Sequence, residues 1–408
     1  MRSAISVYIV HHPQCAIAHI LAGKLFDWFR LGSSSGDFWG AGLPVYFRRK
    51  VHQVDPANPI FKIKPAIDYE LADLNVVILL VDQKMVLDPQ WRAAAVELAK
   101  EISEIEKSPG SSQRAFLLPV AMHESFYQTG PLYEGFNPIR LIGQGLEEME
   151  MTLRRATTEA TARRLRAEIK PNPPPLDVFV SHAKRDGRSV AEEIRDSIRR
   201  FGQLVAWYDA NDLPYGAPWN MPMKKAARGG TAAMISVVTD AYPSRPWCRK
   251  EAVLARTPSL ANPKTQSRVW KLQPVVAVNL PQSEWVRGIP MLEGVPRIGW
   301  NERARHSSTE QIVDRLVLEV LLGLVHRKVA TQLENSDPKK DESCYITWVP
   351  DSWTLAALSR ELAIKGSTVQ RVVYPGYGLT NVEIGELEPV LACFGPNTQL
   401  ISFEEAMA

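Results

Sequence analysis

Two stretches of this chain, residues 1 to 170 and 175 to 333, spell out the same order of elements. "SVYIVHH" opens the first and "DVFVSHA" the second, each a short apolar run of the kind that forms a buried strand. A helical stretch follows in both, "AHILAGKLFDWF" and "SVAEEIRDSIRRFG", then a second strand, "GLPVYFRR" beside "QLVAWYDA". The pairing continues through "LNVVILLVDQKMVLDPQWRAAAVELAK" and "TAAMISVVTDAYPSRPWCRKEAVLAR", "AFLLPVAM" and "LQPVVAVNL", and "NPIRLIG" and "GVPRIGW". The offset between partners drifts only from about 171 to about 155, as loop insertions produce. Strands alternating with helices demand parallel sheets, because a parallel neighbour is reached only by a crossover, and the crossover helices cover both faces. The expected fold class is therefore α/β, with tandem parallel sheets flanked by helices.

Two breaks divide the chain. The prolines of "IKPNPPPLD" (169 to 177) cannot continue the charged helix before them, which predicts a stiff linker. "ENSDPKKDES" (334 to 343) is polar without apolar periodicity, which predicts a flexible one. Beyond it, residues 343 to 408 read as a small βαβαβ segment that docks on the second stretch: "CYITWVP", "SWTLAALSRELAIKG", "VQRVVYPG", "NVEIGELEPVLACFG" and "QLISF". The expected domains are thus 1–170, 175–333 and 343–408.

Composition narrows the class of partner. A net charge of +3 is far from the basic balance that an obligatory nucleic-acid binder carries. The four cysteines, Cys15, Cys248, Cys344 and Cys393, are scattered and form no metal-ligand spacing, so a reducing cytoplasm is the expected compartment and no metal is expected. The start "MRSAISVYIVHHPQC" reads as a strand rather than a signal peptide. The most apolar runs, "LNVVILLV" and "LVLEVLLGLV", are shorter than the ~20 residues that span a bilayer, so no membrane partner is expected.

In a parallel sheet, ligands bind beyond the carboxyl ends of the strands. That places attention on the turns after "DVFVS" and "VAWYD" and on "SRPWCRKEAVLAR" (244 to 256). On a helix, positions i and i+4 share a face, so Trp247 and Glu251 are expected to point the same way while Ala252, Leu254 and Ala255 turn elsewhere. A carboxylate there is either a site or a helix-start acid favoured by the macrodipole. In "YDANDLPYGAPWN" (208 to 220), Pro214 and Gly216 fix a turn that carries Asp209, Asp212 and Trp219. Cys248 reads as a small buried hydrophobe, with no histidine near it in sequence.

"DVFVSHAKRD", "DANDLPYGAPW" and "SRPWCRKE", in that order over residues 175 to 330, together resemble the TIR (Toll/interleukin-1 receptor) domain. The first is similar to the family's opening strand, the second to its BB loop, and the third to its Trp-Cys-x-x-Glu helix start. The resemblance implies a flavodoxin-like fold and, as in many TIR domains, cleavage of the nicotinamide-ribose bond of NAD+. The products would be nicotinamide and ADP-ribose or a cyclic relative. It implies Glu251 as the catalytic acid, with Trp247 walling the pocket and Ser181 and His182 lining it. Asp209 and Trp219 would approach from the BB loop, and Lys184 and Arg185 would meet the pyrophosphate by charge-assisted hydrogen bonds. His182 and Ser181 read equally as groups that satisfy a strand end, and Lys184 and Arg185 as a solvated face. NAD+ would be substrate, with no cofactor.

The first stretch departs from this pattern at the site positions. Trp91 matches Trp247, but Ala95 stands where Glu251 does, Arg48 replaces Asp209, and Glu97 is two residues too late. Residues 1 to 170 thus read as a diverged, non-catalytic TIR-like unit for sensing, dimerisation or docking. The resemblance further implies homotypic TIR assembly, switched on by an unidentified trigger, in bacterial antiviral defence. The other reading is a TIR scaffold that signals through homotypic contacts without chemistry.

Overall fold

The computed structural model describes residues 2–31, 42–53, 63–108, 114–169, 173, 175–200, 204–207, 233–263, 265–280, 288–376 and 378–407. The chain divides into two compact units, Met1–Arg164 and Leu165–Ala408.

The first unit runs β1 (Ser3–His11), α1 (Ala16–Leu31), β2 (Val45–Arg48), β3 (His52–Gln53), β4 (Ile63–Lys64), β5 (Ala72–Val81), α2 (Gln83–Leu87), α3 (Pro89–Lys107), β6 (Ala115–Ala121), α4 (Pro131–Gly135), β7 (Ile139–Arg140) and most of α5 (Leu146–Ile169). Five strands pair in parallel in the order β2-β1-β5-β6-β7. β1 and β5 are buried along nearly their whole length, which is why they read as continuous apolar runs.

The second unit continues with β8 (Leu176–His182), α6 (Arg188–Arg200), β9 (Leu204–Trp207), β10 (Ala233–Val238), α7 (Pro246–Ala255), β11 (Ser259–Leu260), β12 (Val269–Lys271), β13 (Val275–Asn279) and β14 (Arg297–Gly299). It ends with α8 (Arg305–Ser336), β15 (Ser343–Ile346), α9 (Ser352–Ile364), β16 (Arg371–Tyr374), α10 (Asn381–Leu391), β17 (Gln399–Ser402) and α11 (Phe403–Met407). Its first sheet has the order β9-β8-β10-β13-β14, all parallel. Counted within each sheet, both units share the strand order 2-1-3-4-5 of flavodoxin-like folds. The repeat in the sequence is a repeat of topology.

The remaining sheet departs from the expected segmentation. β12, β15, β16 and β17 run parallel, with β11 antiparallel on the edge of β12. Since β11 and β12 come from inside 175 to 333, residues 343 to 408 do not fold apart but complete a sheet that the preceding segment begins. The stretch 334 to 343 is not the expected flexible linker either. α8 runs on to Ser336, and Asp337 accepts hydrogen bonds from Tyr345 Oη at 2.7 Å and Arg371 Nη1 at 2.9 Å. Polar residues there are anchors, which apolar periodicity does not register.

α8 serves both sheets of this unit. It packs against β10, β13 and β14 of one and β12 and β15 of the other. A helix covered on two sides reads apolar around most of its circumference, which accounts for "LVLEVLLGLV". Among the described residues, no helix is long and apolar enough to cross a membrane. Near its middle, burial lowers the His326 imidazole to about 4, so it is neutral in the fold, and its Nδ1 lies 3.2 Å from the Thr347 carbonyl.

α7 is tied to the second sheet twice. Residues 256 to 258 alone connect it to β11. Its C-cap, Arg256, is 8% exposed and donates from Nη2 to Asp351 Oδ2 at 2.6 Å. Asp351 is also the N-cap of α9, where its other oxygen accepts from the Thr354 amide at 2.8 Å.

Two predictions follow from these contacts. Asp351→Asn strands a largely buried guanidinium and is expected to cost on the order of 2 kcal/mol in denaturant unfolding. Combined with Arg256→Met it should cost much less than the sum of the two changes, and additive losses would refute the coupling. For His326, a folded pKa below the unfolded value of 6.5 means that unfolding takes up a proton. Its stabilising share is therefore full above about pH 6.5 and lost as pH falls toward 4, so His326→Asn should flatten the fall of urea midpoints across that window.

Candidate active site

β8 delivers Ser181 and His182 to the carboxyl end of its sheet, where they are 1% and 9% exposed. After β10 the chain makes a tight turn over Tyr242–Ser244 and enters α7 with Pro246 in its first turn, where a missing amide hydrogen costs nothing. The buried residues of α7 are Cys248, Glu251, Ala252 and Ala255, spaced i, i+3, i+4 and i+7. Glu251 therefore stands inside an apolar stripe, 5% exposed. The expected facing is corrected here. Ala252 and Ala255 share the buried stripe with Glu251 instead of turning elsewhere, while half-buried Trp247 stands about 40° from Glu251, at the stripe's edge, as expected of an i, i+4 pair. Lys250 Nζ lies 4.9 Å from the Trp247 ring centroid.

A carboxylate in such a stripe needs donors, and β8 supplies one. Ser181 Oγ donates to Glu251 Oε2 at 2.5 Å and lies 2.8 Å from the Tyr242 hydroxyl oxygen. Since the serine proton goes to the carboxylate, Tyr242 is the donor of the second bond. Burial, reinforced by the charge of Glu251, pushes the Tyr242 phenol far above its usual range. The same two causes push the Cys248 thiol up to about 12, and its Sγ donates to the His182 carbonyl at 3.4 Å. Both groups stay protonated at neutral pH, so Cys248 has no thiolate to offer as a nucleophile.

Two members of this arrangement were not singled out from the sequence. Tyr242 lay in the quoted "DAYPSRPW", where an aromatic before a Ser-Arg-Pro turn was its signal. Asp186 lay in "AKRDG", where Asp before Gly marks a turn. Its Oδ1 accepts from Thr239 Oγ1 at 2.6 Å and its Oδ2 from the Ala241 amide at 2.9 Å. It thereby clamps the turn after β8 to the turn after β10, fixing the distance across which Ser181 reaches Glu251. At Gly187 a Cβ would stand 3.2 Å from the Ala183 carbonyl oxygen, so the turn closes too tightly for a side chain.

Of the remaining candidates, Lys184 and Arg185 are exposed in the turn after β8. Asp209 and Trp219 lie outside the described residues. Among the described residues, no group of three His, Cys, Asp or Glu side chains could hold a metal.

The equivalent positions of the first unit are instructive. By the sequence pairing, Ser181, Tyr242 and Glu251 correspond to Val10, Val86 and Ala95. All three are buried in one apolar cluster with Trp91, the partner of Trp247. Arg48, in the place of Asp209, lies over the rings of Tyr8 and Tyr46.

Comparison with known proteins bears on the second unit. No curated protein matches the chain. Among solved structures, tagatose-6-phosphate ketose/aldose isomerase from Escherichia coli aligns over 78% of this chain and 82% of its own at 11% identity. Its TM-score of 0.22 is too low to carry an argument. A family model, the TIR domain, matches residues 178–307. Those residues, which hold Ser181, Tyr242 and Glu251, are a TIR domain.

Proposed function

We propose that this TIR domain cleaves the bond between nicotinamide and ribose in NAD+, releasing nicotinamide and ADP-ribose or a cyclised relative, with Glu251 as the essential acid. The observation that supports this most is a glutamate carried in the buried stripe of α7 and hydrogen-bonded by Ser181 at the carboxyl end of β8. Breaking the N-glycosidic bond sends its electron pair to the nicotinamide ring and leaves positive charge on the ribose. Nicotinamide, cationic while attached, departs neutral and needs no proton from an acid. What the reaction needs is a fixed negative charge near the ribose, and a carboxylate away from bulk water supplies it strongly. In the hydrolytic outcome, water attacks the ribose carbon and loses a proton.

In this reading Ser181 and Tyr242 position the carboxylate rather than react. The half-buried ring of Trp247 offers a flat wall to a base, and His182 lies beside Ser181 at the strand end. Lys184 and Arg185 would meet the pyrophosphate, with Asp209 and Trp219 completing the pocket. NAD+ is substrate, and no cofactor is required. The first unit is a TIR-like copy without catalysis, since Val10, Val86 and Ala95 offer neither acid nor donor. Homotypic contacts between TIR domains would assemble the active form in response to a trigger, as suits a bacterial antiviral effector.

The burial of Glu251 supports one rival. A carboxylate 5% exposed and bonded to Ser181 would also serve a pure scaffold, holding β8 to α7 while the domain works through homotypic contacts.

Nicotinamide release separates the two. Glu251→Gln keeps the shape and is expected to lower release about 100-fold or more. Ser181→Ala should lose roughly tenfold through a misplaced carboxylate, and Cys248→Ala should leave turnover nearly unchanged. Turnover per protomer should rise with protein concentration if assembly completes the site. Unchanged release from Glu251→Gln would sink the catalytic assignment. An inactive wild type at every concentration that still self-associates would establish the scaffold.

A further inference from the structure

The second sheet of the second unit and the helix α8 that covers it carry two cations, Lys271 and Arg327, that no carboxylate among the described residues answers. Val269 and Tyr345 pack with Ala330 and Leu333 of α8, whereas Trp270 and Ile346 belong to the cluster on the opposite face. The pleat therefore carries Lys271, last residue of β12 and two on from Val269, to the α8 face at the carboxyl end of the strands. Strand register sets Val269 opposite Tyr345 and Trp270 opposite Ile346, so Thr347 is the next neighbour of Lys271. His326 reaches the Thr347 carbonyl from α8, and the next residue, Arg327, donates from Nη2 to the Ala261 carbonyl at 2.7 Å, beside β12. Ala261 stands beside Val269 on the antiparallel edge strand, so Arg327 comes from α8 over the edge of β12 while Lys271 rises to the same face from the end of that strand.

Neither cation has an ion-pair partner among the described residues, and the Thr347 hydroxyl, on a residue 6% exposed, makes no hydrogen bond there. Both side chains are partly withdrawn from water, and each cation's pKa is lowered first by burial. For Lys271 the second cause is the like charge of Arg327. Such a pair is unfavourable alone and is relieved by an anion between its members. The donors suit one kind of anion: an ammonium, the remaining N–H groups of a guanidinium fork and a hydroxyl together match the oxygens of a doubly charged tetrahedral group. Lys271 and Thr347 stand at the carboxyl ends of parallel strands, where such sheets bind ligands, and Arg327 reaches the same face from α8.

We propose that Lys271, Arg327 and Thr347 form a binding site for a phosphate group, free or carried as an ester, on the second sheet of the second unit. The site is separate from Ser181 and Glu251 and does not depend on what they catalyse.

The test uses the full-length protein in phosphate-free buffer, titrated calorimetrically with inorganic phosphate and with ribose 5-phosphate against chloride at matched ionic strength. Saturable binding of either probe is expected, and whichever binds more tightly tells whether the group is taken free or as an ester. Lys271→Gln and Arg327→Gln should each weaken it about tenfold or more, while Lys365→Gln, exposed at the end of α9, should not. Lys271→Met should abolish binding and raise the thermal midpoint in phosphate-free buffer, since it removes an unanswered charge. Binding undiminished in both Gln variants, or no saturable binding of either probe by the wild type, would overturn the proposal.

Discussion

A carboxylate placed within the apolar stripe of a helix is unstable unless donors are brought to it, and much of the TIR domain's local architecture is what bringing them requires. Glu251 is one turn from Cys248 and Ala255, at a position whose buried neighbours on the helix are apolar. Ser181 meets it only because β8 ends at the right height, and Tyr242 backs Ser181 only because the turn after β10 folds beneath α7. Asp186 holds those two strand ends together. Removing any one of these leaves another polar group buried without its partner, so the set stands as a unit.

The first unit shows the same strand order with the polar set taken out. Val10, Val86 and Ala95 fill the corresponding places and join a continuous apolar cluster with Trp91. The fold thus has no need of serine, tyrosine and glutamate at these points. Their presence in one unit and absence from the other is difficult to explain by stability, because apolar replacement of a buried polar network is often neutral or favourable. That contrast is the reason to seek chemistry in the second unit.

Much of this was legible in residues. The order of strands and helices was visible because buried parallel strands leave long apolar runs, and the "WCRKE" stretch marked α7. What escaped were relations that depend on three dimensions. That Ala252 and Ala255 share the buried face of Glu251 does not show in one i, i+4 pair, which cannot locate a stripe about 100° wide, whereas Cys248, Ala252 and Ala255 together do. Asp337 reads as linker in sequence because its partners, Tyr345 and Arg371, are distant in sequence or across a turn. β11 and β12 were missed as members of the last sheet because strands of two and three residues carry no period.

The short path from α7 to β11 gives the glutamate a mechanical neighbour. Three residues are too few to act as slack, and Arg256 is fastened to the first turn of α9 besides. The helix that carries Glu251 and the last sheet therefore share one short tether: α7 passes into β11 through three residues, and the Arg256–Asp351 pair fastens the same junction to the first turn of α9.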